Sequence, residues 1–468
     1  MGHNYHDTSP DGGLLQIYSW KRREPALDII ENKFYFLLTY GCQMNESDSE
    51  RYAGQLESLG YRRTEDMDMA DVILLNTCCV RETAEGKILG KIGELKHVKQ
   101  HNPNLIIAVT GCMAQEWQDR LFERAPHIDL VIGTHNIHKL IELIRERQAT
   151  SGHYLEADMT MPAFHDLPTK RFQKFFAWVP IMNGCNKFCT YCIVPYVRGR
   201  EVSRPIADIV REIEEIAKEG YKEITLLGQN VNSYGLDLKD GTDFSSLLQA
   251  VDRIDGIERV RYMTSHPKDM TFAMIDAIAD SQKVVNHMHL PIQSGSDELL
   301  KKMNRGYTVD QYMELVEYAR KRIPDLVLTT DIIVGFPGET EEMFCQTLDL
   351  LKRVQYDMAY TFIYSPRTGT PAAKMDHQIP QEEKSRRLQR LMDVQNVYSL
   401  QLNQTMEHKE YEVIVEGPTK NDENHWFGRT TGNKMIIWEH DGSAAIGDTV
   451  KVAVDKGQTW VLKGHLIH

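Results

Sequence analysis

NGCNKFCTYCIVPYVRGREVSRP, residues 183–205, places Cys185, Cys189 and Cys192 within eight positions, at offsets of four and three. Three thiolates so spaced can wrap one cubane iron–sulfur cluster and leave its fourth iron without a protein ligand. An open coordination position is what a metal centre needs to bind and transform a substrate. A structural zinc site would need a fourth ligand, usually from a second close pair, and no such pair follows. A ferredoxin run has different spacing and a fourth cysteine, and haem attachment would need Cys-x-x-Cys-His.

The stretch ends an apolar run, AWVPIMNG (177–184), and five more follow: EITLLGQN (223–230), RVRYMTSHP (259–267), VNHMHLPIQSG (285–295), LVLTTDIIVGFPG (326–338) and DMAYTFIYSPRTG (357–369). Helical patterns separate them, as in IADIVREIEEIAKEG (206–220). Six strand–helix units predict an open, partial (βα)6 barrel over 173–400.

Upstream, FYFLLTYGC (34–42), DVILLNTCC (71–79), LIIAVTGC (105–112) and LVIGTHN (130–136) alternate with helical stretches. This predicts a Rossmann-like parallel sheet domain over 32–150. Cys42, Cys78 and Cys112 each end a strand, and strand ends along one edge of a parallel sheet converge on a ligand crevice. Cys79 follows Cys78 and would point the other way if strand geometry persisted. A polar arm covers 1–31 and a proline-bearing linker 151–172. From 401 to 468 short alternating runs predict a small antiparallel β-barrel. The fold class is therefore α/β with three units.

The chain has 468 residues, eight cysteines and a formal net charge of −13. An acidic balance argues against a nucleic-acid partner unless basic patches are local. No apolar run spans a membrane and no signal peptide opens the chain, so a cytoplasmic monomer is expected. Clustered cysteines in such a chain bind metal more often than they form disulfides.

Cys-x-x-x-Cys-x-aromatic-Cys at the end of the first strand of a partial barrel resembles the radical S-adenosylmethionine (SAM) superfamily. TYGCQMNESDSE (39–50), NTCCVRETA (76–84) and TGCMAQ (110–115) resemble the N-terminal domain of the methylthiotransferase family within it. The tail is similar to the RNA-binding TRAM domain. The resemblance implies two [4Fe–4S] clusters, one on Cys185, Cys189 and Cys192 and an auxiliary one on Cys42, Cys78 and Cys112. It implies that SAM chelates the first cluster's open iron, that Tyr191 lies near the SAM adenine, and that a reductant protein such as flavodoxin or ferredoxin supplies electrons. One SAM would donate the methyl group and a second would be the radical source.

LLGQNVNSYG (226–235) and HLPIQSGSD (289–297) look most like the subgroup that methylthiolates carbon 2 of isopentenyl-adenosine at position 37, in the tRNA anticodon loop. Siblings act on threonylcarbamoyl-adenosine or on a ribosomal-protein aspartate. A zinc-holding RNA-binding protein without catalysis is a reading of another class.

Loops at the strand ends build barrel active sites. By position, Gln229, Asn230, Ser265, Gln293 and Phe336 are expected at the SAM pocket. Candidate RNA patches are Lys170, Arg171 and Lys174 among Phe172, Phe175 and Phe176; Arg198, Arg200 and Arg204; Lys384, Arg386, Arg387 and Arg390; and Trp426, Phe427 and Arg429.

Overall fold

Short, wholly buried apolar runs make the strands of the first domain. This computed structural model describes residues 32–79, 82–160, 164 and 166–468; the expected arm at 1–31 lies outside them. The strands are β1 (Phe34–Thr39), β2 (Arg62–Arg63), β3 (Val72–Thr77), β4 (Ile106–Gly111), β5 (Leu130–Ile132) and β6 (Tyr154–Glu156). They pair in parallel in the order β2-β1-β3-β4-β5-β6. Every residue of β3 and β4 is buried, as a parallel sheet covered on both faces requires. Tyr52 and Leu56 of helix Gln43–Ser58 pack on one face; Ile88, Ile92 and Leu95 of helix Glu82–His101 pack on the other.

β6 corrects the expected linker at 151–172, whose start is the sheet's last strand. Three half-exposed residues carry too little alternation to be read as a strand.

The central domain contains β7 (Phe176–Pro180), the short antiparallel pair β8 (Met182–Asn183) and β9 (Val202–Ser203), then β10 (Glu223–Leu227), β11 (Arg259–Tyr262), β12 (His287–His289), β13 (Val327–Val334) and β14 (Met358–Ile363). Strands β7, β10 and β11 form one parallel sheet and β12, β13 and β14 another. A bridge between Val260 and Val284 joins them, so six parallel strands follow chain order around an open arc. Helices cover the outside; Ile209, Ile213 and Ile216 of helix Ile206–Lys218 form the helically spaced stripe that buries it.

The tail closes as a barrel in the order β15-β16-β17-β19-β18: β15 (Glu410–Thr419), β16 (Asp422–Arg429), β17 (Met435–Glu439), β18 (Thr449–Gly457) and β19 (Leu462–Leu466). Its β17–β19 pairing is parallel, a departure from the expected antiparallel barrel. Five strands in a closed ring cannot all alternate in direction. Helix Gln381–Gln404 runs through the expected division at 400/401, and its Asn403 donates to the carbonyl of Gln458 at 2.6 Å. Arg259 and Arg261 of β11 donate to the carbonyls of Arg429 and Thr430 at 3.0 and 3.1 Å. Lys434 pairs with Asp357 at 2.8 Å, just before β14. The tail barrel thus docks toward the N-terminal ends of the barrel strands, away from the cysteine-bearing mouth.

Candidate active site

Sheet register gathers the first cysteine trio. β1, β3 and β4 are neighbours, with Thr39 opposite Asn76 and Thr77 opposite Gly111. Cys78 and Cys112 are the residues that immediately follow these two adjacent strands. Cys42 follows β1 through Gly41, whose φ is +123°; a Cβ there would lie 2.7 Å from Cys78 Cβ and 3.1 Å from its sulfur. Only glycine permits that approach. Asn45 donates to the carbonyls of Tyr40 and Thr77 at 2.8 and 2.9 Å, tying the two cysteine-bearing ends together.

Cys79 does not point away. The strand ends at Thr77, so alternation stops before it, and Cys79 is buried in the same cluster as Cys112. The neighbouring Cys79 thiol, followed by the Arg198 guanidinium, pulls the Cys112 thiol below its ordinary range. Cys79 is pushed up correspondingly and stays a protonated donor.

The second trio rises from the β8–β9 hairpin. The Cys185 N–H donates to the Gly199 carbonyl at 3.1 Å, and Gln229 accepts the Gly184 N–H. Asn304 donates to the carbonyls of Lys187 and Phe188 at 3.1 and 3.0 Å, while Lys187 pairs with Asp269 at 2.6 Å. Phe188 is held at φ +47°, a left-handed conformation its surroundings must enforce. Arg305, unnoticed in the sequence, is buried and donates to Cys189 Sγ and to the Tyr191 hydroxyl, each at 3.4 Å. His266 Nδ1 accepts the Lys268 N–H at 3.2 Å, which leaves Nε2 protonated, 3.9 Å from Cys189 Sγ.

Burial pushes the Cys185 thiol to about 11 and Cys192 to about 12. Both are protonated at neutral pH unless a bound cation ionises them. Both trios fit cubane clusters by donor chemistry: all six cysteines are free, the first three after three adjacent strands and the second three on one loop. Among the described residues no three His, Cys, Asp or Glu side chains stand at the spacing of a single metal ion. A four-iron cubane is larger and takes thiolates spread around it.

Beside the second trio lies a cavity of about 660 Å³, lined in part by Tyr191, Cys192, Gln293, Asp331, Ile333 and Tyr364. Gln293 Oε1, Asn230 Oδ1 and Ser265 Oγ are buried without a hydrogen-bond partner. Orphaned polar atoms at strand ends fit a polar cofactor such as SAM. Of these three, Gln293 lines the cavity, and its φ of +71° is strained. Gln229 serves the cysteine loop instead. Phe336 does not reach the cavity; it is wholly buried against Tyr364, ring centroids 5.4 Å apart.

Most of the expected RNA-binding cations are spent internally. Arg171 and Arg204 pair with Glu212 at 3.1 and 2.7 Å, and Arg198 with Asp48 at 2.8 Å. Arg387 pairs with Glu339 at 2.7 Å, Arg386 with Glu383 at 2.8 Å and Arg390 with Glu341 at 2.6 Å. Arg429 pairs with Glu416, and Trp426 stacks on His440 at 3.7 Å. Arg200 differs. It is exposed over the Phe188 ring at 4.4 Å, and the exposed Tyr196 meets Phe188 edge-on at 5.9 Å.

Residues 34–133 match the uncharacterized protein family UPF0004, 179–351 the Radical SAM superfamily and 404–467 the TRAM domain. The chain is 50% identical over 451 residues to the tRNA-2-methylthio-N(6)-dimethylallyladenosine synthase of Desulforamulus reducens, covering 96% of this chain and 98% of that one. It is 50% identical to the same-named protein of Carboxydothermus hydrogenoformans, covering 93% of this chain and 99% of that one. Among solved structures, its fold is similar to the radical SAM methyltransferase TsrM of Kitasatospora setae (TM-score 0.54, 16% identity, 73% of this chain and 75% of that one). Half identity over nearly its whole length, together with all three domain matches, shows that this chain belongs to the radical SAM family of tRNA-2-methylthio-N(6)-dimethylallyladenosine synthases.

Proposed function

We propose that this chain transfers a methylthio group to carbon 2 of N6-isopentenyladenosine at position 37 of tRNA, using two [4Fe–4S] clusters and SAM. One observation carries the reading: the loop 184–200, which bears the second thiol trio, bonds through Arg198 to Asn45 and Asp48 beside the first trio on the other domain. The relatives' shared name supports the substrate. An adenine C–H bond at this position is not acidic enough for a side-chain base. When bound, the clusters and SAM supply a carbon radical for that hydrogen and a methylated sulfur for transfer, at potentials that reach about −700 mV for such clusters.

The chain's own residues hold and shield. Cys185, Cys189 and Cys192 hold the SAM-binding cluster, and Cys42, Cys78 and Cys112 the auxiliary one. Arg305 and His266 fix Cys189 while Arg305 orients the Tyr191 hydroxyl. Gln293 offers an unpartnered acceptor to SAM, and Asn230 and Ser265 carry further unpartnered polar atoms at strand ends. Phe188, Tyr196 and Arg200, beside the cysteine loop, offer stacking faces and a cation to nucleotides flanking the extruded base. A flavodoxin or ferredoxin supplies electrons, and the chain works as a cytoplasmic monomer. Among the described residues, no helix is long and apolar enough to cross a membrane.

Nucleoside analysis of tRNA from a deletion strain tests the substrate. Accumulated isopentenyladenosine, methylthiolated again when the gene is returned, is the expected result. Accumulated threonylcarbamoyl-adenosine lacking its methylthio group, or an unmodified ribosomal-protein aspartate, would transfer the chemistry to a sibling substrate.

A further inference from the structure

Arg198 lies in the seam and its side chain touches both halves of the site. Its side chain is 4% exposed. One terminal nitrogen donates to Asn45 Oδ1 and Asp48 Oδ2, each at 2.8 Å, and the other to Asn183 Oδ1 at 3.4 Å. Asn45 is the residue that ties the ends bearing Cys42 and Cys78. The backbone is gripped as firmly. The Arg198 carbonyl lies 3.0 Å from His135 Nε2, and Thr134 Oγ1 donates to the Val197 carbonyl at 2.6 Å. The next residue, Gly199, accepts the Cys185 N–H. A loop that begins with one thiol trio therefore delivers a guanidinium to the other.

A buried arginine remains charged, because its guanidinium does not lose its proton in proteins. Removing such a charge from water is costly unless anions repay it. Asp48 supplies one. The other neighbour is the first trio: the Asn45 Oδ1 that Arg198 grips at 2.8 Å lies 3.9 Å from Cys42 Sγ.

We propose that Arg198 is the buried counter-cation of the auxiliary cluster and that Asp48 opposes it, so that this pair sets the cluster's reduction potential. The proposal rests on the reading that Cys42, Cys78 and Cys112 hold a cluster. A trio of thiolates makes such a cluster anionic, and reduction adds one further negative charge. A fixed cation nearby favours the reduced state and raises the potential; a fixed carboxylate does the reverse. Arg198 is thus a positioning residue with an electrostatic effect of predictable sign, and Asp48 has the opposite sign.

The test uses the full chain with Cys185, Cys189 and Cys192 replaced by Ala, so that the N-terminal cluster alone is read. After anaerobic reconstitution, a dithionite titration followed by electron paramagnetic resonance gives its midpoint. Arg198→Gln should shift the midpoint down, Asp48→Asn should shift it up, and Arg198→Lys should stay near the parent. A purely structural salt bridge would make the first two variants behave alike, and shifts of one sign, or none, would overturn the proposal. Should Arg198→Gln fail to fold, the upward shift in Asp48→Asn still decides. A parent protein that binds no iron would instead overturn the ligand reading for the N-terminal trio, and the proposal with it.

Discussion

Replacing Gly184 by Ala should open the barrel's cysteine loop and leave the rest of the molecule folded. Gly184 sits at φ +81°, and a Cβ there would lie 2.0 Å from the Arg200 carbonyl oxygen, 2.5 Å from its carbon and 2.7 Å from the Gly199 oxygen. A side chain in this conformation costs about 1–2 kcal/mol. The clash is with backbone, so no rotamer relieves it. The two segments must part by roughly 1.3 Å to restore a C···O distance of about 3.3 Å. That movement breaks the bond from Cys185 to Gly199 and the one from Gly184 to Gln229, about 1 kcal/mol each. The sum, about 3–4 kcal/mol, is below the roughly 5–15 kcal/mol that holds a domain together. Iron content after anaerobic reconstitution should fall from about eight to about four per chain, and SAM cleavage should be lost. Gly220→Ala is the control. Its φ is +91° with no atom within 4 Å of the added methyl, so it bears the conformational cost alone and keeps all its iron. A Gly184→Ala protein with full iron and SAM cleavage would refute the reasoning.

Cys78→Ala should still cleave SAM while yielding no methylthiolated adenosine; loss of cleavage would show that the two sites are not separable. Glu50 is buried, its Oε1 accepting the Phe172 N–H at 2.9 Å and its Oε2 without a hydrogen-bond partner, and burial pushes its carboxyl to about 7. A carboxyl raised in the folded state contributes stability below its unfolded pKa that is lost as pH rises through 7. Glu50→Gln should therefore stabilise the protein by about 1–3 kcal/mol at pH 8 and change little at pH 5; thermal unfolding at the two pH values reads this, and equal effects at both would contradict it. Tyr196→Ala should weaken tRNA binding about 5- to 100-fold, the worth of one stacked base, and Arg200→Gln should flatten its salt dependence. Binding unchanged in both variants would remove this surface from the RNA path.

Where a residue's neighbours lie close in sequence or across a regular sheet, its place in the fold was legible. Cys42, Cys78 and Cys112 end adjacent parallel strands, and the sheet itself brings them together. The offsets within 185–192 describe one loop, and the loop stays local. Arginines were misread because a cation looks alike whether it meets phosphate or carboxylate. Arg198 finds Asp48, 150 positions earlier, and Arg171 finds Glu212, 41 positions later. Arg305 carried no signal, since its contact with Cys189 spans 116 positions. Phe336 stands between strand and turn, where periodicity cannot say which side is inward, and it turned into the core. β6 and the parallel β17–β19 seam follow from tertiary closure.

Iron and zinc analysis with Mössbauer spectroscopy, on three anaerobically purified full-length proteins, tests the two-trio reading most directly. The parent, the Cys42, Cys78 and Cys112 triple-Ala variant, and the Cys185, Cys189 and Cys192 triple-Ala variant should hold about eight, four and four irons, all as cubane clusters. Zinc in place of iron, or either triple variant with its iron undiminished, would contradict the account.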